Sequence, residues 1–171
     1  MISFIVPAYN EEALIGATVD AVNAAARAAA EPFEVIVVDD GSTDSTAAIA
    51  SERGARVVSV NLRHIAAARN AGARSARGDL LVFVDADTIV PPGVLKQAVD
   101  AIASGAVGGG CGTLQDTDEP RWGVVGLALA SWIMRQAKWA AGCFVFVRRD
   151  VFERIGGFDE CYFASEEIHL S

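Results

Sequence analysis

Positive charge is scarce in this chain of 171 residues, which has 14 Lys and Arg against 22 Asp and Glu and a formal net charge of −8. Proteins that bind RNA or DNA usually present a basic surface, so this balance argues against a nucleic-acid partner. Hydrophobic residues make up 52% of the chain and charged residues 21%, which indicates a folded domain with a sizeable core. A protein this acidic needs a few arginines or a metal ion if its ligand is anionic.

Cysteines and long apolar runs are also scarce. Cys111, Cys143 and Cys161 form no CxxC pair and no zinc-like spacing, so free thiols in a reducing compartment are expected. The apolar run at residues 122–134 is shorter than the roughly 20 residues of a membrane-spanning helix, and the first residues lack the features of a signal peptide. We therefore predict a cytoplasmic protein, with residues 122–139 forming core, a subunit interface or a peripheral contact with the inner face of a membrane.

Short apolar runs alternate with helix-forming stretches along the chain. The runs are nearly continuous, which is typical of strands buried on both faces, and lie at residues 2–6, 33–38, 56–60 and 80–84. The predicted helices lie at residues 11–30, 44–53, 65–77 and 93–103, and the second of them has Ser42 and Thr43 as its candidate caps. This alternation predicts an α/β fold with a mostly parallel sheet and helices on both faces.

The second part of the chain is less regular. We predict a Gly-rich strand at residues 106–114, a helix at 122–139, a strand at 143–147 and a helix at 149–155 that ends at Gly156-Gly157. No repeat, linker or domain boundary interrupts the sequence, so one domain over residues 1–171 is expected.

Acidic and small residues follow three of the predicted strands, at residues 7–12, 39–44 and 85–88. Ligands of open α/β sheets bind beyond the carboxyl ends of the strands, so these loops predict a site. Asp85 and Asp87 follow a buried strand and suit a hard divalent cation; the alternative is a polar strand end that caps the next helix. The acidic residues of the other two loops favour the metal site over this alternative.

The remaining loop residues have two interpretations each. Asp39 and Asp40 begin an ordinary turn, and one carboxylate there can also accept a hydrogen bond from a base imide or a ribose hydroxyl. Tyr9 either stacks on a flat ring or is simply an aromatic residue at a strand end.

Seven motifs in one order carry a resemblance that covers nearly the whole chain. They are FIVPAYNEE (residues 4–12), VDDGSTD (38–44), ARNAG (68–72), VDAD (84–87), GCFVFVR (142–148), GGFD (156–159) and EE (166–167). Together they resemble glycosyltransferase family 2. The resemblance implies a GT-A (Rossmann-like) fold and transfer of a sugar from a nucleotide diphosphate donor, UDP- or GDP-linked, usually with inversion.

The resemblance also implies roles for individual residues. The residues expected to border the nucleotide sugar are Pro7, Ala8, Tyr9, Glu11, Asp39, Asp40, Arg69, Asp85 and Ala86. Asp87, with Asp85, would ligate Mn²⁺ or Mg²⁺. For Arg69, the alternative to donor binding is a salt bridge on the surface of a helix. The terminal pair is usually Glu-Asp in this family and is Glu166-Glu167 here; Glu167 is the candidate general base, and a solvated helix start is the alternative.

By the same resemblance, residues 1–104 form a nucleotide-sugar-binding half and residues 105–171 an acceptor and catalytic half that is expected to be C-terminally incomplete and therefore slow in transfer. The acceptor and the oligomeric state are left open. Two other functions compete: a donor-binding module with little turnover, and a phosphatase of the haloacid dehalogenase type that uses Asp85-Ala86-Asp87-Thr88 as a DxDxT motif. That motif normally opens its domain, whereas three predicted strands precede it here.

Overall fold

The computed structural model describes residues 1–110 and 143–161 of the chain. The strands of this part are β1 (Ile2–Ala8), β2 (Phe33–Asp40), β3 (Arg56–Val60), β4 (Leu80–Val84), β5 (Gly108–Gly110) and β6 (Phe144–Arg148). Its helices are α1 (Ile15–Ala29), α2 (Thr46–Glu52), α3 (Ile65–Ser75), α4 (Pro92–Ala103) and α5 (Arg149–Ile155). The predicted helix at residues 122–139 lies outside the described residues.

The strands form one sheet in the order β3-β2-β1-β4-β6-β5. The first four strands of the chain run parallel, and β6 is antiparallel to both of its neighbours, β4 and β5. The predicted α/β class with a mostly parallel sheet is therefore confirmed. None of the helices in the described residues is long and apolar enough to cross a bilayer.

Both faces of the sheet are covered by helices, as the continuous apolar runs predict. On β1, Phe4 belongs to a core cluster with residues of α1, α2 and α4, whereas Ile5 belongs to a second cluster with residues of α3 and α5. Both side chains are fully buried. Successive residues of a strand point to opposite faces of the sheet. A strand between two layers of helices therefore has apolar side chains on both faces.

The expected bounds were wrong at the starts of α1 and α2. Helix α1 begins at Ile15 rather than at residue 11: residues 12–14 form a turn, and the backbone N–H of Glu11 donates to the hydroxyl of Thr46 at 2.8 Å. Helix α2 begins at Thr46, so Ser42 and Thr43 are not its caps. The carboxylate of Asp44 accepts the N–H of Thr46 at 3.0 Å in their place.

Helix α3 lies unusually close to the sheet, because a glycine faces the strands. A Cβ atom added at Gly72 would collide with Ile5 of β1 and would lie 2.8 Å from Cγ2 of Val38 in β2. The residues of α3 from Ala66 to Ala73 are all buried. This approach brings the polar residues of α3 under the strand ends.

We expect Gly72→Ala to lower the free energy of unfolding by about 1–3 kcal/mol, because the added methyl overpacks a tight contact. Gly93→Ala is the matched control, since Gly93 lies in α4 with no heavy atom within 4 Å of the added Cβ. Alanine there should stabilise the helix by up to about 1 kcal/mol. Urea denaturation measures both changes, and equal effects at the two positions would contradict the close approach.

Candidate functional site

An open cleft of about 410 Å³ lies at the carboxyl edge of the parallel strands. Its lining residues are Pro7, Ala8, Tyr9, Glu11, Asp40, Arg63, His64, Ile65, Ala68, Asp85, Ala86 and Asp87. The structure thus brings together most of the predicted site residues. Asp39 and Arg69 are not among the lining residues, although Arg69 bonds Asp85, which is one of them. Glu166 and Glu167 lie outside the described residues.

A larger cavity, of about 610 Å³, opens at the opposite edge, where the strands begin. Its charged groups serve the protein itself: Arg148 pairs with Asp150 at 2.8 Å, and Arg149 donates to the carbonyl oxygen of Gly78 at 2.7 Å. Ligands of open α/β sheets bind at the carboxyl edge, so the smaller cleft is the candidate site.

The loops after β1 and β2 hold each other through bonds between backbone and side chains. The N–H of Asn10 donates to the hydroxyl of Ser42 at 3.0 Å, and the N–H of Thr43 donates to Oδ1 of Asn10 at 2.8 Å. The N–H of Ser45 donates to the carboxylate of Glu12 at 3.0 Å. Two loops that are more than 30 residues apart in sequence therefore form one wall of the cleft.

The turn that carries Asp85 and Asp87 is held from both sides. The buried hydroxyl of Thr18, in α1, donates to the carbonyl oxygen of Ala86 at 2.7 Å. The N–H of Thr88 donates back to the carbonyl oxygen of Asp85 at 3.0 Å. The backbone between the two carboxylates is therefore fixed, which favours a constant position for the side chains that it carries.

Asp85 forms an ion pair with a buried arginine of α3. Arg69 Nη2 lies 2.8 Å from Asp85 Oδ1, and the side chain of Arg69 is only 2% exposed. Arg69 is therefore not a helix-surface residue, so that alternative was wrong. It is an internal cation placed against the predicted metal and ribose ligand.

Asp87 and Glu11 lie in a part of the cleft with excess negative charge. Burial and the nearby charges of Asp87 and Asp44 raise the pKa of Glu11 above its ordinary value of 4.5. A bound cation would relieve this repulsion and lower the pKa of Glu11 again.

The carboxylates fit a hard divalent ion that takes its other ligands from a substrate. Among residues 1–110 and 143–161, His, Cys, Asp and Glu form no group of three that could hold a metal ion alone. Mg²⁺ and Mn²⁺ are commonly held by one or two carboxylates together with phosphate oxygens and water. Asp85 and Asp87 supply that donor set.

Asp39 and Asp40 differ in what they hold. Asp39 Oδ1 accepts the N–H of Ser42 at 3.3 Å, which is the predicted turn. The carboxylate of Asp40 accepts two N–H groups of the segment before α3, those of Leu62 at 2.5 Å and His64 at 3.2 Å. Asp40 therefore fixes the segment that closes one end of the cleft.

Arg63, which lies in that segment, was not predicted from the sequence as a site residue. Its guanidinium lies 4.0 Å from the centre of the Tyr9 ring, and its φ of 53° is in the left-handed region. It also donates to the carbonyl oxygen of Gly41 at 3.2 Å. No motif marks a lone arginine at this place, and a left-handed conformation is not expected of a residue other than glycine.

Comparison with solved structures gives the class of protein. A mannosyltransferase of Pyrobaculum calidifontis, in complex with GDP-Man and Mn²⁺, superposes with a TM-score of 0.73 at 27% identity, over 97% of this chain and 49% of that one. A glucosyl-3-phosphoglycerate synthase of Mycobacterium tuberculosis, in complex with Mn²⁺, UDP and glucosyl-3-phosphoglycerate, gives a TM-score of 0.66 at 26% identity, over 89% and 58%. The fold is that of the GT-A glycosyltransferases.

The family follows from the sequence as a whole. The model of glycosyl transferase family 2 matches residues 3–156, and the chain belongs to that family. Two relatives are undecaprenyl-phosphate 4-deoxy-4-formamido-L-arabinose transferases. That of Pseudomonas paraeruginosa is 39% identical over 61% of this chain and 33% of its own length. That of Pseudomonas aeruginosa is 37% identical over 71% and 39%. The chain thus spans less than two fifths of the length of these relatives.

The Arg69–Asp85 pair should be coupled energetically. Removing one partner, by Arg69→Met or Asp85→Asn, is expected to lower the free energy of unfolding by about 3 kcal/mol, because the remaining charge loses a close opposite charge at a largely buried position. The double variant should be more stable than the sum of the single losses by about 1–3 kcal/mol.

Arg148 and Asp150 provide the control cycle for this measurement, since their side chains are 45% and 53% exposed. An exposed pair should show a much smaller coupling, or none, in the same denaturation experiment. Additive losses at Arg69 and Asp85 would contradict the proposed coupling.

Proposed function

We propose that this chain transfers a sugar from a nucleoside-diphosphate donor to an acceptor oxygen, with inversion, and that Asp85 and Asp87 hold a Mn²⁺ or Mg²⁺ ion with the donor. The observation that carries the proposal is the fixed turn with two carboxylates at the carboxyl edge, one of them paired with buried Arg69. Family membership supports sugar transfer, and the Mn²⁺ named in the two neighbour structures supports the ion.

Different strand ends of the cleft are expected to bind different parts of the donor. Tyr9, 46% exposed beside the end of β1, offers a flat surface to a base, and Asp39 offers an acceptor at the end of β2. Asp85 and Asp87 follow β4, on the other side of β1. Neighbouring strands are about 4.8 Å apart, so the distance from β2 to β4 is roughly 10 Å, which a nucleoside diphosphate can span.

The reaction is a direct displacement at the anomeric carbon of the sugar. The acceptor oxygen forms a bond to that carbon while the bond from the carbon to the diphosphate oxygen breaks, and the nucleoside diphosphate leaves. The cation, when bound, neutralises charge that develops on the leaving group. We assign Glu167 the role of general base, which takes the proton of an acceptor hydroxyl.

A phosphate acceptor is the second candidate, because the two curated relatives are named for undecaprenyl phosphate. A lipid phosphate would bring the protein to a membrane surface. Its oxygen is largely ionised at neutral pH, since the second pKa of a phosphate monoester is about 6. A phosphate acceptor therefore needs no general base, and this difference separates the two acceptors experimentally.

The other functions considered from the sequence lack this support. A DxDxT phosphatase opens its domain with the strand that precedes its motif, whereas β4 is the fourth strand along the chain. A donor-binding module without turnover shares the cleft and is separated by the transfer assay below.

The first test measures donor binding. UDP or GDP with Mn²⁺ should stabilise the protein, by about 2.7 kcal/mol at a concentration one hundred times the Kd, and much less with a chelator. Asp87→Asn should abolish the metal-dependent part. Asp100→Asn, at an exposed carboxylate of α4, is the matched control and should behave as the unchanged protein. Equal stabilisation with Mn²⁺ and with chelator, in both variants, would remove the metal from the proposal.

The second test separates binding from catalysis. Glu167→Gln keeps the size of the side chain but cannot take a proton, so transfer to a hydroxyl acceptor should fall about 10²–10⁴-fold while donor affinity is retained. Glu166→Gln is the matched control. The measurement is release of nucleoside diphosphate in the presence of acceptor.

Each outcome of this assay has a meaning. A larger loss from Glu166→Gln would show that the base is the first member of the pair. Transfer to a lipid phosphate that is unchanged by Glu167→Gln would favour the phosphate acceptor. Donor binding without transfer to either acceptor would favour the donor-binding module.

A further inference from the structure

We propose that Asn70 is a positioning residue that couples the donor cleft to the turn at residues 156–161. The inference rests on the proposed function, because the state that it responds to is occupation of the cleft by a nucleotide and a cation. It concerns a side chain that lines no part of the cleft and that the proposed chemistry does not use.

Asn70 holds both backbone polar groups of Phe158, a residue 88 positions away. Its Nδ2 donates to the carbonyl oxygen of Phe158 at 2.9 Å, and its Oδ1 accepts the N–H of Phe158 at 2.9 Å. A second bond runs from Nδ2 to Oε1 of Glu160 at 2.8 Å. Asn70 is 6% exposed, so these bonds are made largely out of water, where an unpaired polar group is costly.

The turn itself depends on this support. Gly156 and Gly157 have φ values of 86° and 85°, in the left-handed region that favours glycine. A Cβ atom at Gly157 would lie 2.7 Å from Oδ1 of Asn70. Two glycines in succession restrict the backbone little, and the bonds from Asn70 hold the position of Phe158, which follows them.

The ring of Phe158 connects the turn to the strand end that carries Asp85. It packs edge-on against Phe83 of β4 at 4.8 Å between centroids and is 2% exposed. Phe83 precedes Asp85 by two residues. The guanidinium of Arg69 lies 5.3 Å from the centre of the same ring and bonds Asp85 from there.

Two adjacent residues of α3 therefore hold the two ends of this connection. Arg69 bonds the carboxylate of Asp85, and Asn70 bonds the backbone of Phe158. A cation that binds Asp85 competes with Arg69 for the carboxylate and alters the charge above the ring of Phe158. Phe158 belongs to the turn and carries this change into it, while the two bonds from Asn70 to its backbone hold the turn against α3. We therefore expect the turn to become more ordered when the cleft is occupied, as long as these bonds are present.

Hydrogen exchange measured by mass spectrometry tests the coupling. The probe is Mn²⁺ with UDP, and in a second set Mn²⁺ with GDP, added to the full chain. In the unchanged protein the probe should slow exchange both at residues 85–88 and at residues 156–161, at the latter by about fivefold or more. In Asn70→Ala it should still slow exchange at residues 85–88 and leave residues 156–161 unaffected.

A merely structural role predicts a different result. If Asn70 only stabilises the turn, Asn70→Ala speeds exchange at residues 156–161 but the probe still slows it, and the coupling is wrong. Protection at residues 85–88 alone in the unchanged protein also overturns it. No protection anywhere overturns the proposed function and the coupling together. Asn23→Ala is the matched control, since the amide of Asn23 donates to the backbone carbonyl oxygen of Arg53, and neither residue lines the cleft.

A second set of variants keeps the test decisive if Asn70→Ala does not fold. Asn70→Asp retains an acceptor for the N–H of Phe158 but places a carboxylate against Glu160, so the protection of residues 156–161 by the probe should be lost. Adding Glu160→Gln supplies a donor to that carboxylate and should restore part of the protection. Glu160→Gln alone retains an acceptor for Asn70 and should match the unchanged protein. If the probe protects residues 156–161 of the double variant no more than those of Asn70→Asp, the assigned bonds are wrong.

Discussion

A buried guanidinium is the constraint on which the candidate site depends. Arg69 is 2% exposed, and a charge removed from water needs a close counter-ion. Asp85 is that counter-ion at 2.8 Å, so the end of β4 and the middle of α3 hold one relative position. Gly72, one turn of helix further, allows α3 to come close enough to the strands for this contact. The pair supplies the one buried positive charge among the described residues at an edge where three acidic loops meet.

The ion pair also gives the two aspartates of the turn different properties. Arg69 balances the charge of Asp85, whereas Asp87 is exposed and helps to raise the pKa of Glu11. Repulsion between carboxylates is therefore concentrated on the Asp87 and Glu11 side of the cleft. A divalent ion at the proposed site would relieve this repulsion and would attract phosphates, which the net charge of −8 repels.

Much of this arrangement can be predicted from the sequence, for local reasons. The strands β3 and β4 have their predicted bounds, and β4 is an unbroken apolar run between Asp79 and Asp85. The loops meet because parallel strands end at the same edge. The late start of α1 could not be predicted, since residues 11–14 include no helix-breaking residue that would mark Ile15 as the start. Burial of Arg69 could not be predicted either, because a helix with alanine on nearly every side shows no polar face.

Each polar or small residue of the ARNAG motif contacts a different neighbouring element. Arg69 bonds the turn after β4, Asn70 bonds the turn after α5, and Gly72 lies against β1 and β2. Successive residues of a helix point in directions about 100° apart, so adjacent positions reach different neighbours. In a helix buried on nearly all sides, each direction meets another part of the site. A substitution in this motif therefore changes a contact with one particular distant motif, and compensation for it has to arise there.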